Sequence, residues 1–222
     1  MVPGARPARP PRRGRAVILH LDEHVVIADK PAGLPTVPGR PAELHDCLWQ
    51  RVRAEVTDAL VVHRLDMATS GLVLFARGAA MQRALSAAFA QRGVDKRYEA
   101  VVAGPVATES GEIDLPLAAD WPNRPRQRVD AERGKPSLTR WRVLAHDVAA
   151  GTTRVALQPV TGRSHQLRVH LAAIGHPILG DALYAAPEAA SAAPRLLLHA
   201  TRLSFTHPGD GRRASFASPV PF

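Results

Sequence analysis

Three short segments of the chain concentrate the side chains that can do chemistry, and the first surrounds an aspartate. Residues 62–71 read Val-His-Arg-Leu-Asp-Met-Ala-Thr-Ser-Gly, so Asp66 follows the basic residues His63 and Arg64 and precedes a Thr-Ser-Gly turn. A nearby cation favours the ionised form of a carboxylate, and a loop position keeps it accessible. The alternative is an Asx turn in which the carboxylate only bonds the backbone, and spacing alone favours that alternative because such turns are common.

The second segment places a tyrosine among charged residues. Residues 95–100 read Asp-Lys-Arg-Tyr-Glu-Ala at the start of an apolar run. A tyrosine in such a setting can stack on a nucleic-acid base while its basic neighbours contact phosphate. Tyr98 is equally well explained as an ordinary strand aromatic, so this segment decides nothing by itself.

The third segment is the densest in cations and hydrogen-bond donors. Residues 161–170 read Thr-Gly-Arg-Ser-His-Gln-Leu-Arg-Val-His, and a turn there leads into a helix N-terminus, which suits anions. The alternative is a solvated polar face of a helix, which the number of planar donors makes less favourable. The polar candidates within eight residues are Arg163, His165, Gln166, Arg168 and His170.

The elements that must position these segments are mainly strands. Short apolar runs bounded by turn residues predict strands, and a period of three to four residues predicts helices. Ser164 is a candidate N-cap of the third helix, Gly175 its stop, and Leu167, Leu171 and Ile174 its buried stripe. Many strands with few helices predict an α+β fold with a mainly antiparallel mixed sheet. The predicted strands are 16–21, 24–29, 71–76, 97–102, 137–145, 152–159 and 196–205, and the predicted helices are 43–55, 79–91 and 164–174.

Charge and cysteine content favour a protein with an anionic partner and exclude one held together by intrachain disulfides. The net charge is +9, and the first 15 residues contain five Arg, four Pro and no acid. We interpret residues 1–15 as a disordered basic arm, with a single domain over residues 16–222. A basic protein favours an anionic partner, although a genome that favours arginine would give the same charge. The single cysteine excludes an intrachain disulfide and fits a reducing, cytoplasmic compartment, and no apolar stretch reaches membrane-helix length.

Taken together, the segments resemble the pseudouridine synthases of the family typified by ribosomal large subunit pseudouridine synthase A. Residues 63–71 match that family's His-Arg-Leu-Asp-x-x-Thr-Ser-Gly motif, and residues 96–100 match its Lys-x-Tyr-x-Ala motif. The third motif matches residues 161–170 and continues as Gly-His-Pro-Ile-Leu-Gly-Asp over residues 175–181. Residues 120–125, 134–136 and 194–200 resemble one subgroup, whose members act on a 23S rRNA hairpin and on the tRNA anticodon stem-loop. Three ordered motifs are far more specific than one.

The resemblance implies a reaction and roles for the residues. Uridine in structured RNA is isomerised to pseudouridine without a cofactor or metal, in a bent mixed sheet with flanking helices around a central cleft. Asp66 is implied to be the catalytic carboxylate, Arg168 its partner and Tyr98 the residue that stacks on the target base. Arg64 is implied to occupy the space that the flipped base leaves. The implied RNA contacts are Arg64, His63, Arg163, His165 and Gln166, joined by Arg124 and Arg126 of an alternating basic strip.

Some expectations and alternatives stay open at this level. Too few residues precede Ala16 to build the S4-type domain that many relatives carry, and we expect a monomer. The strip that includes Arg124, Arg126 and Arg128 is as well explained by a solvated loop as by phosphate contact. A catalytically silent RNA-binding module would share the charge and the fold. A histidine-dependent metallohydrolase is disfavoured, because the histidines that cluster in the C-terminal third lack the i, i+4 spacing of a helical zinc site and no carboxylate-rich set joins them. These histidines are His165, His170, His176, His199 and His207.

Overall fold

The computed structural model of the chain describes residues 16–222, so the predicted basic arm, residues 1–15, lies outside the described residues. Strands dominate this part of the chain, as predicted, and every strand pairing for which the register is defined is antiparallel. The elements in chain order are β1 (Val17–Leu21), β2 (Val25–Lys30), α1 (Leu48–Arg53), β3 (Ala59–Val61), β4 (Ser70–Arg77), α2 (Gly78–Ala90), β5 (Asp95–Ala103), β6 (Ser110–Asp114), β7 (Leu117–Ala119), β8 (Gln127–Val129), β9 (Leu138–Asp147), β10 (Thr152–Pro159), α3 (Gln166–Ala173), α4 (Pro187–Ser191), β11 (Leu198–Thr206) and β12 (Arg213–Ala217).

The described residues fall into two compact units. Residues 16–96 together with Ala200–Pro221 form one, here called the Asp66 unit. Arg97–His199 together with Phe222 form the other, here called the Arg168 unit. The single-domain organisation over residues 16–222 stays a prediction.

The Asp66 unit is built on a sheet in which β1, β2, β4 and β11 are neighbours in that order, with β3 also paired to β4 and β12 to β11. Strand β4 is buried along nearly its whole length, which its Leu-Val-Leu-Phe-Ala run predicts for a central strand covered on both faces. Helix α2 contributes Leu85 to the core that this sheet covers. The core residues are Val25, Ile27, Leu72, Leu74, Ala76, Leu85, Val94, Leu203 and Phe205.

The Arg168 unit has a second antiparallel arrangement, in which β5, β10, β9 and β6 are neighbours in that order. Strand β10 alternates strictly between buried and partly buried residues, the period of two expected of a strand with one covered face. Strands β7 and β8 form a separate two-stranded hairpin. The α+β prediction is confirmed.

Several sequence-based boundaries are wrong, and tertiary contacts explain why. The helix predicted over 43–55 begins only at Leu48, because the backbone N–H groups of Leu48 and Trp49 donate to the carbonyls of Pro35 and Thr36 rather than continuing a helix upstream. Ser164 does not cap α3, because the residue before that helix is His165, in the left-handed conformation at φ 55°. The sequence patterns do not predict the short strands β3, β6, β7, β8 and β12.

The end of α3 is predicted better than its start. Gly175 adopts φ 85°, and its N–H donates to the carbonyl of Ala172, as expected of a glycine that stops a helix. Leu167 and Leu171 are buried as predicted, whereas Ile174 is 36% exposed and does not belong to the buried stripe. The helix has already ended at that position, so the helical period no longer applies.

Candidate active site

The backbone on both sides of Asp66 is fixed by a loop that precedes α1. The Thr36 hydroxyl donates to the carbonyl of Leu65 (2.8 Å) and accepts from the N–H of the same residue (3.1 Å). On the other side, the N–H of Gly33 donates to the carbonyl of Met67 (2.8 Å). A side chain whose neighbours are held by buried hydrogen bonds has few orientations to choose from, which is the pre-organisation that catalysis needs.

A buried lysine strengthens the same attachment. Lys30 is fully buried, and its ammonium donates to the carbonyls of Pro31 (3.0 Å), Leu34 (2.7 Å) and Met67 (3.0 Å). Burying an ammonium is costly unless its donors are satisfied, so a lysine in this place must do something specific. Here it ties the loop that follows β2 to the residue next to Asp66. The sequence patterns single out neither Lys30 nor Thr36.

The turn that carries Asp66 leads directly into β4. The N–H of Thr69 donates to the main-chain carbonyl of Asp66 (3.1 Å), which is a backbone bond that closes the turn. Gly71 follows at φ 111°, and a Cβ at that position would collide with the backbone of Ala200 in β11. The glycine of the Thr-Ser-Gly motif is therefore required by a close approach of two strands.

His63 is placed as a structural residue of the Asp66 unit, although the family resemblance assigns it to RNA contact. Its Nε2 accepts a hydrogen bond from the N–H of Leu74 (2.9 Å), and its ring stacks on Phe89 with 4.5 Å between centroids. Burial, with a smaller contribution from the Lys96 cation, lowers the pKa of His63 to about 3. The imidazole is neutral near pH 7 and bonded within the unit, whereas its neighbour Arg64 is exposed.

The Arg168 unit contains a buried ion pair on α3. The Arg168 guanidinium donates through Nε to Asp181 Oδ2 (2.8 Å) and through Nη2 to Asp181 Oδ1 (2.6 Å), and the two side chains are only 5% and 1% exposed. Asp181 Oδ1 also accepts from the N–H groups of Leu183 (2.9 Å) and Tyr184 (3.2 Å). A bidentate fork fixes both the position and the plane of a guanidinium. The sequence points to Arg168 but not to Asp181 as its partner.

Gln166 builds the turn before α3 and does not present its amide to a ligand. Its side chain is 3% exposed. Its oxygen accepts from the Thr161 hydroxyl (2.7 Å) and the Arg163 N–H (3.0 Å), and its nitrogen donates to the Leu138 carbonyl and the Thr139 hydroxyl (both 3.0 Å). An RNA contact through this side chain would require breaking these buried bonds, and the expected RNA contact of Gln166 stays a prediction.

His170 is likewise an internal residue. It bonds the Thr139 hydroxyl (2.9 Å) and the Leu115 carbonyl (3.0 Å), and burial lowers its pKa. The solvated polar helix face that the sequence leaves open is therefore wrong for α3, since Gln166, Arg168 and His170 are all buried.

Tyr184 joins the ion pair to two other parts of the Arg168 unit. Its hydroxyl bonds His165 Nδ1 (2.6 Å) and accepts from the N–H of Gln127 in β8 (2.8 Å). The Arg168 guanidinium lies over its ring at 5.1 Å from the centroid. Tyr184 therefore connects the N-terminus of α3 with the β7–β8 hairpin, a contact that no sequence motif indicates.

The remaining predicted residues differ in exposure. Arg163, Arg124 and Arg126 are exposed, whereas Tyr98 on β5 is only 9% exposed and lies on the same strand face as the buried Ala100. Arg124 and Arg126 belong to the predicted basic strip, whose third arginine, Arg128, is paired with Asp130 at 2.9 Å. Arg128 is therefore less available for phosphate contact than Arg124 and Arg126, although the sequence pattern treats all three alike.

Neither a metal-binding cluster nor a helix suited to spanning a membrane occurs within residues 16–222. This part of the chain contains no group of three or more His, Cys, Asp or Glu side chains placed to hold a metal ion. None of its helices combines the length and apolar character that crossing a membrane requires.

Comparison with known proteins decides the family. A model of the RNA pseudouridylate synthase family matches residues 24–173, a range that includes Asp66, Tyr98 and Arg168. The chain is 49% identical to the dual-specificity RNA pseudouridine synthase RluA of Escherichia coli K12, over 96% of this chain and 97% of the relative. The chain belongs to the RNA pseudouridylate synthase family. It is an enzyme that isomerises uridine in RNA. This activity replaces the two alternative hypotheses, a catalytically silent RNA-binding module and a metallohydrolase.

Other relatives agree with this assignment. The protein of the same name from Vibrio cholerae serotype O1 is 51% identical over 90% of this chain and 80% of the relative. Among solved structures, human RNA pseudouridylate synthase domain containing 1 is similar at a TM-score of 0.77 and 27% identity, covering 100% of this chain and 87% of that one. Human RNA pseudouridylate synthase domain containing 4, at a TM-score of 0.73 and 24% identity, shows the same fold.

Proposed function

We propose that the chain converts two uridines to pseudouridine, uridine 746 of 23S rRNA and uridine 32 of tRNA. The dual-specificity name of the E. coli relative, together with 49% identity over nearly the whole of both chains, supports this pair of targets. RNA of this kind is recognised through the shape of a hairpin and through loop bases that are splayed out of the stack.

Asp66 is the catalytic carboxylate of this proposal. The observation that carries it is the double attachment of the backbone around Asp66, by Thr36 at Leu65 and by Lys30 and Gly33 at Met67. A loop that only closed a turn would not need a buried ammonium to hold it. A carboxylate whose position is fixed in advance can act at the sugar–base junction without a costly reorganisation.

The reaction has a simple balance of bonds. The C1′–N1 bond of the uridine breaks, the uracil turns, a C1′–C5 bond forms, C5 loses its proton and N1 gains one. The target base must first leave its stack, and the exposed Arg64 fills the vacated space. In this proposal Tyr98 stacks on the flipped base, and Arg168, oriented by Asp181, is the cation that acts with the carboxylate. Arg163, His165, Arg124 and Arg126 contact the RNA.

The test replaces Asp66 with asparagine, which keeps the size of the side chain but removes its charge. Asp66→Asn should fold and bind a hairpin RNA, yet release no tritium from C5-labelled uridine in single-turnover assays at saturating enzyme. Asp58→Asn is the matched control, because Asp58 is a half-exposed carboxylate of the same unit whose pairing with Arg77 contributes little. The control should react at the wild-type rate.

Two outcomes would contradict the proposal. Retention of about a tenth of the wild-type rate by Asp66→Asn would correspond to only ~1.4 kcal/mol of barrier, too little for an essential group. The targets are tested separately by chemical mapping of pseudouridine in rRNA and tRNA from cells with and without the gene. If loss of the gene removes pseudouridine from only one of the two RNAs, the chain acts on that RNA alone and the proposed dual specificity is wrong.

A further inference from the structure

The tip of the β7–β8 hairpin carries an unusual side chain. Trp121 is 67% exposed, and among the Trp, Tyr and Phe side chains of residues 16–222 it alone is exposed. Tryptophan is highly buried on average in folded proteins, because its ring covers so much apolar area. An exposed indole at the tip of a hairpin therefore suggests contact with a partner.

The hairpin holds Trp121 in a defined position. The N–H of Asp120 donates to the Arg126 carbonyl (3.0 Å), and the N–H of Arg126 donates to the Asn123 carbonyl (3.0 Å). Asn123 in turn bonds Asp120 through its N–H (3.1 Å) and through its side-chain amide (2.9 Å). These bonds close the turn from both sides, so the indole is presented by an ordered structure.

A cation lies against the same ring. The Arg124 guanidinium sits 3.4 Å from the centroid of the Trp121 ring, and no carboxylate within residues 16–222 is within ion-pair distance of it. Residues 120–130 contain three arginines and two aspartates. An exposed aromatic side chain among arginines fits nucleic acid better than the apolar surface of a protein.

The hairpin is attached to the residues that hold Arg168. Arg126 donates to the carbonyl of Leu183, and the N–H of Gln127 donates to the hydroxyl of Tyr184 (2.8 Å). Both contacts fall on the segment that begins with Asp181, the partner of Arg168. Trp121 is therefore fixed to the part of the Arg168 unit that the proposed reaction uses.

We propose that Trp121 and Arg124 form a stacking platform for one unpaired base of the substrate RNA, a base other than the uridine that is isomerised. The proposal rests on the RNA substrate and targets proposed above. The base stacks on the open face of the indole while Arg124 covers the other side and attracts phosphate. Because every base has a π-face, the platform selects for an unpaired nucleotide and not for its identity.

The experiment measures binding of a synthetic tRNA anticodon stem-loop, of the 23S rRNA hairpin, and of a fully paired duplex of matched composition. All variants carry Asp66→Asn so that no RNA is turned over. Trp121→Ala should weaken binding of the hairpins by about tenfold or more, and Trp121→Phe by less, with no change for the duplex. The slope of binding against salt should stay constant for Trp121→Ala, because no phosphate contact is lost. The control is Val148→Ala, which truncates a 90% exposed side chain on another turn of the same unit.

A fluorescence measurement tests stacking on Trp121 separately from binding affinity. The chain has three tryptophans, and stacking on Trp121 should make RNA quench the emission of the parent chain but not that of Trp121→Phe. Equal hairpin affinity of Trp121→Ala and its parent, or equal quenching in Trp121→Phe, would overturn the proposal and leave a protein partner as the explanation of the exposed ring. An equal loss on the duplex would also overturn it. Failure of the proposed function is recognised separately, by the absence of pseudouridine formation in the wild-type chain.

Discussion

Removing the carboxylate of Asp181 tests how the Arg168 unit fixes its arginine. In Asp181→Asn the amide nitrogen faces either Nε or Nη2 of Arg168, so one of the bonds at 2.8 and 2.6 Å becomes a contact between two donors. The guanidinium is 5% exposed, so the substitution removes the Asp181 negative charge from beside a buried positive charge. Breaking a buried ion pair by removing one partner costs about 3–5 kcal/mol.

The loss of stability gives a measurable shift in urea unfolding. With a urea m-value of ~2 kcal/mol/M, a loss of ~3 kcal/mol lowers the urea midpoint by about 1.5 M. The matched control is Glu112→Gln, which breaks the Arg140–Glu112 pair of the same unit. That pair has the same kind of short contact, 2.7 Å, but its side chains are 56% and 54% exposed. Exposed pairs contribute at most ~1 kcal/mol, so the control should barely move the midpoint.

A double variant separates stability from function. Replacing both partners with apolar residues, as Arg168→Met with Asp181→Leu, removes both buried charges together and should be less destabilising than either single change. The double variant should nevertheless form no pseudouridine, because the oriented cation is gone. Under conditions where Asp181→Asn is folded, its single-turnover rate should fall at least tenfold while its RNA affinity stays near wild type.

Two results would refute this reasoning. A midpoint shift for Asp181→Asn no larger than that of Glu112→Gln would mean that the Arg168 charge reaches water despite its burial. A double variant less stable than both single variants would mean that the two side chains contribute through packing and not through their pairing.

The remaining predictions concern the Asp66 unit. Thr36→Val keeps the shape of the side chain but leaves the buried N–H and carbonyl of Leu65 without their partner, so we expect a loss of about 2–4 kcal/mol in urea unfolding, whereas Thr36→Ser should stay near wild type. Equal stability of the two variants would show that the hydroxyl is dispensable. Because the pKa of His63 is about 3 in the folded chain and about 6.5 when unfolded, its contribution is present above about pH 6.5 and is lost as the pH falls, by up to ~1.4 kcal/mol per pH unit. Unfolding measured at about pH 7 and about pH 5 should show this loss in the wild type and less of it in His63→Gln, and identical pH dependence would contradict the assignment.

Much of the fold follows from short-range patterns in the chain. The apolar run of β4 and the strict alternation of β10 predict their strands, because burial on one or both faces of a sheet leaves a direct mark on residue order. Gly175 marks the end of α3 for a similar reason. Its φ of 85° is a backbone conformation that glycine, which lacks a Cβ, adopts at little cost. The three ordered motifs, taken together, are likewise sufficient to indicate the family that the comparisons confirm.

The sequence does not reveal the partners that hold the candidate residues in place. Thr36 and Lys30 meet the backbone beside Asp66 across 29 and 37 positions of the chain, and Tyr184 meets Gln127 across 57. Contacts at such separations depend on which strands pair and where the loops cross, and they leave no local periodicity. For the same reason the internal bonds of Gln166 and His63, to which the resemblance assigns RNA contacts, cannot be read from the sequence. Their types and spacing identify polar groups, and only the tertiary structure decides whether those groups face a ligand or satisfy the buried backbone.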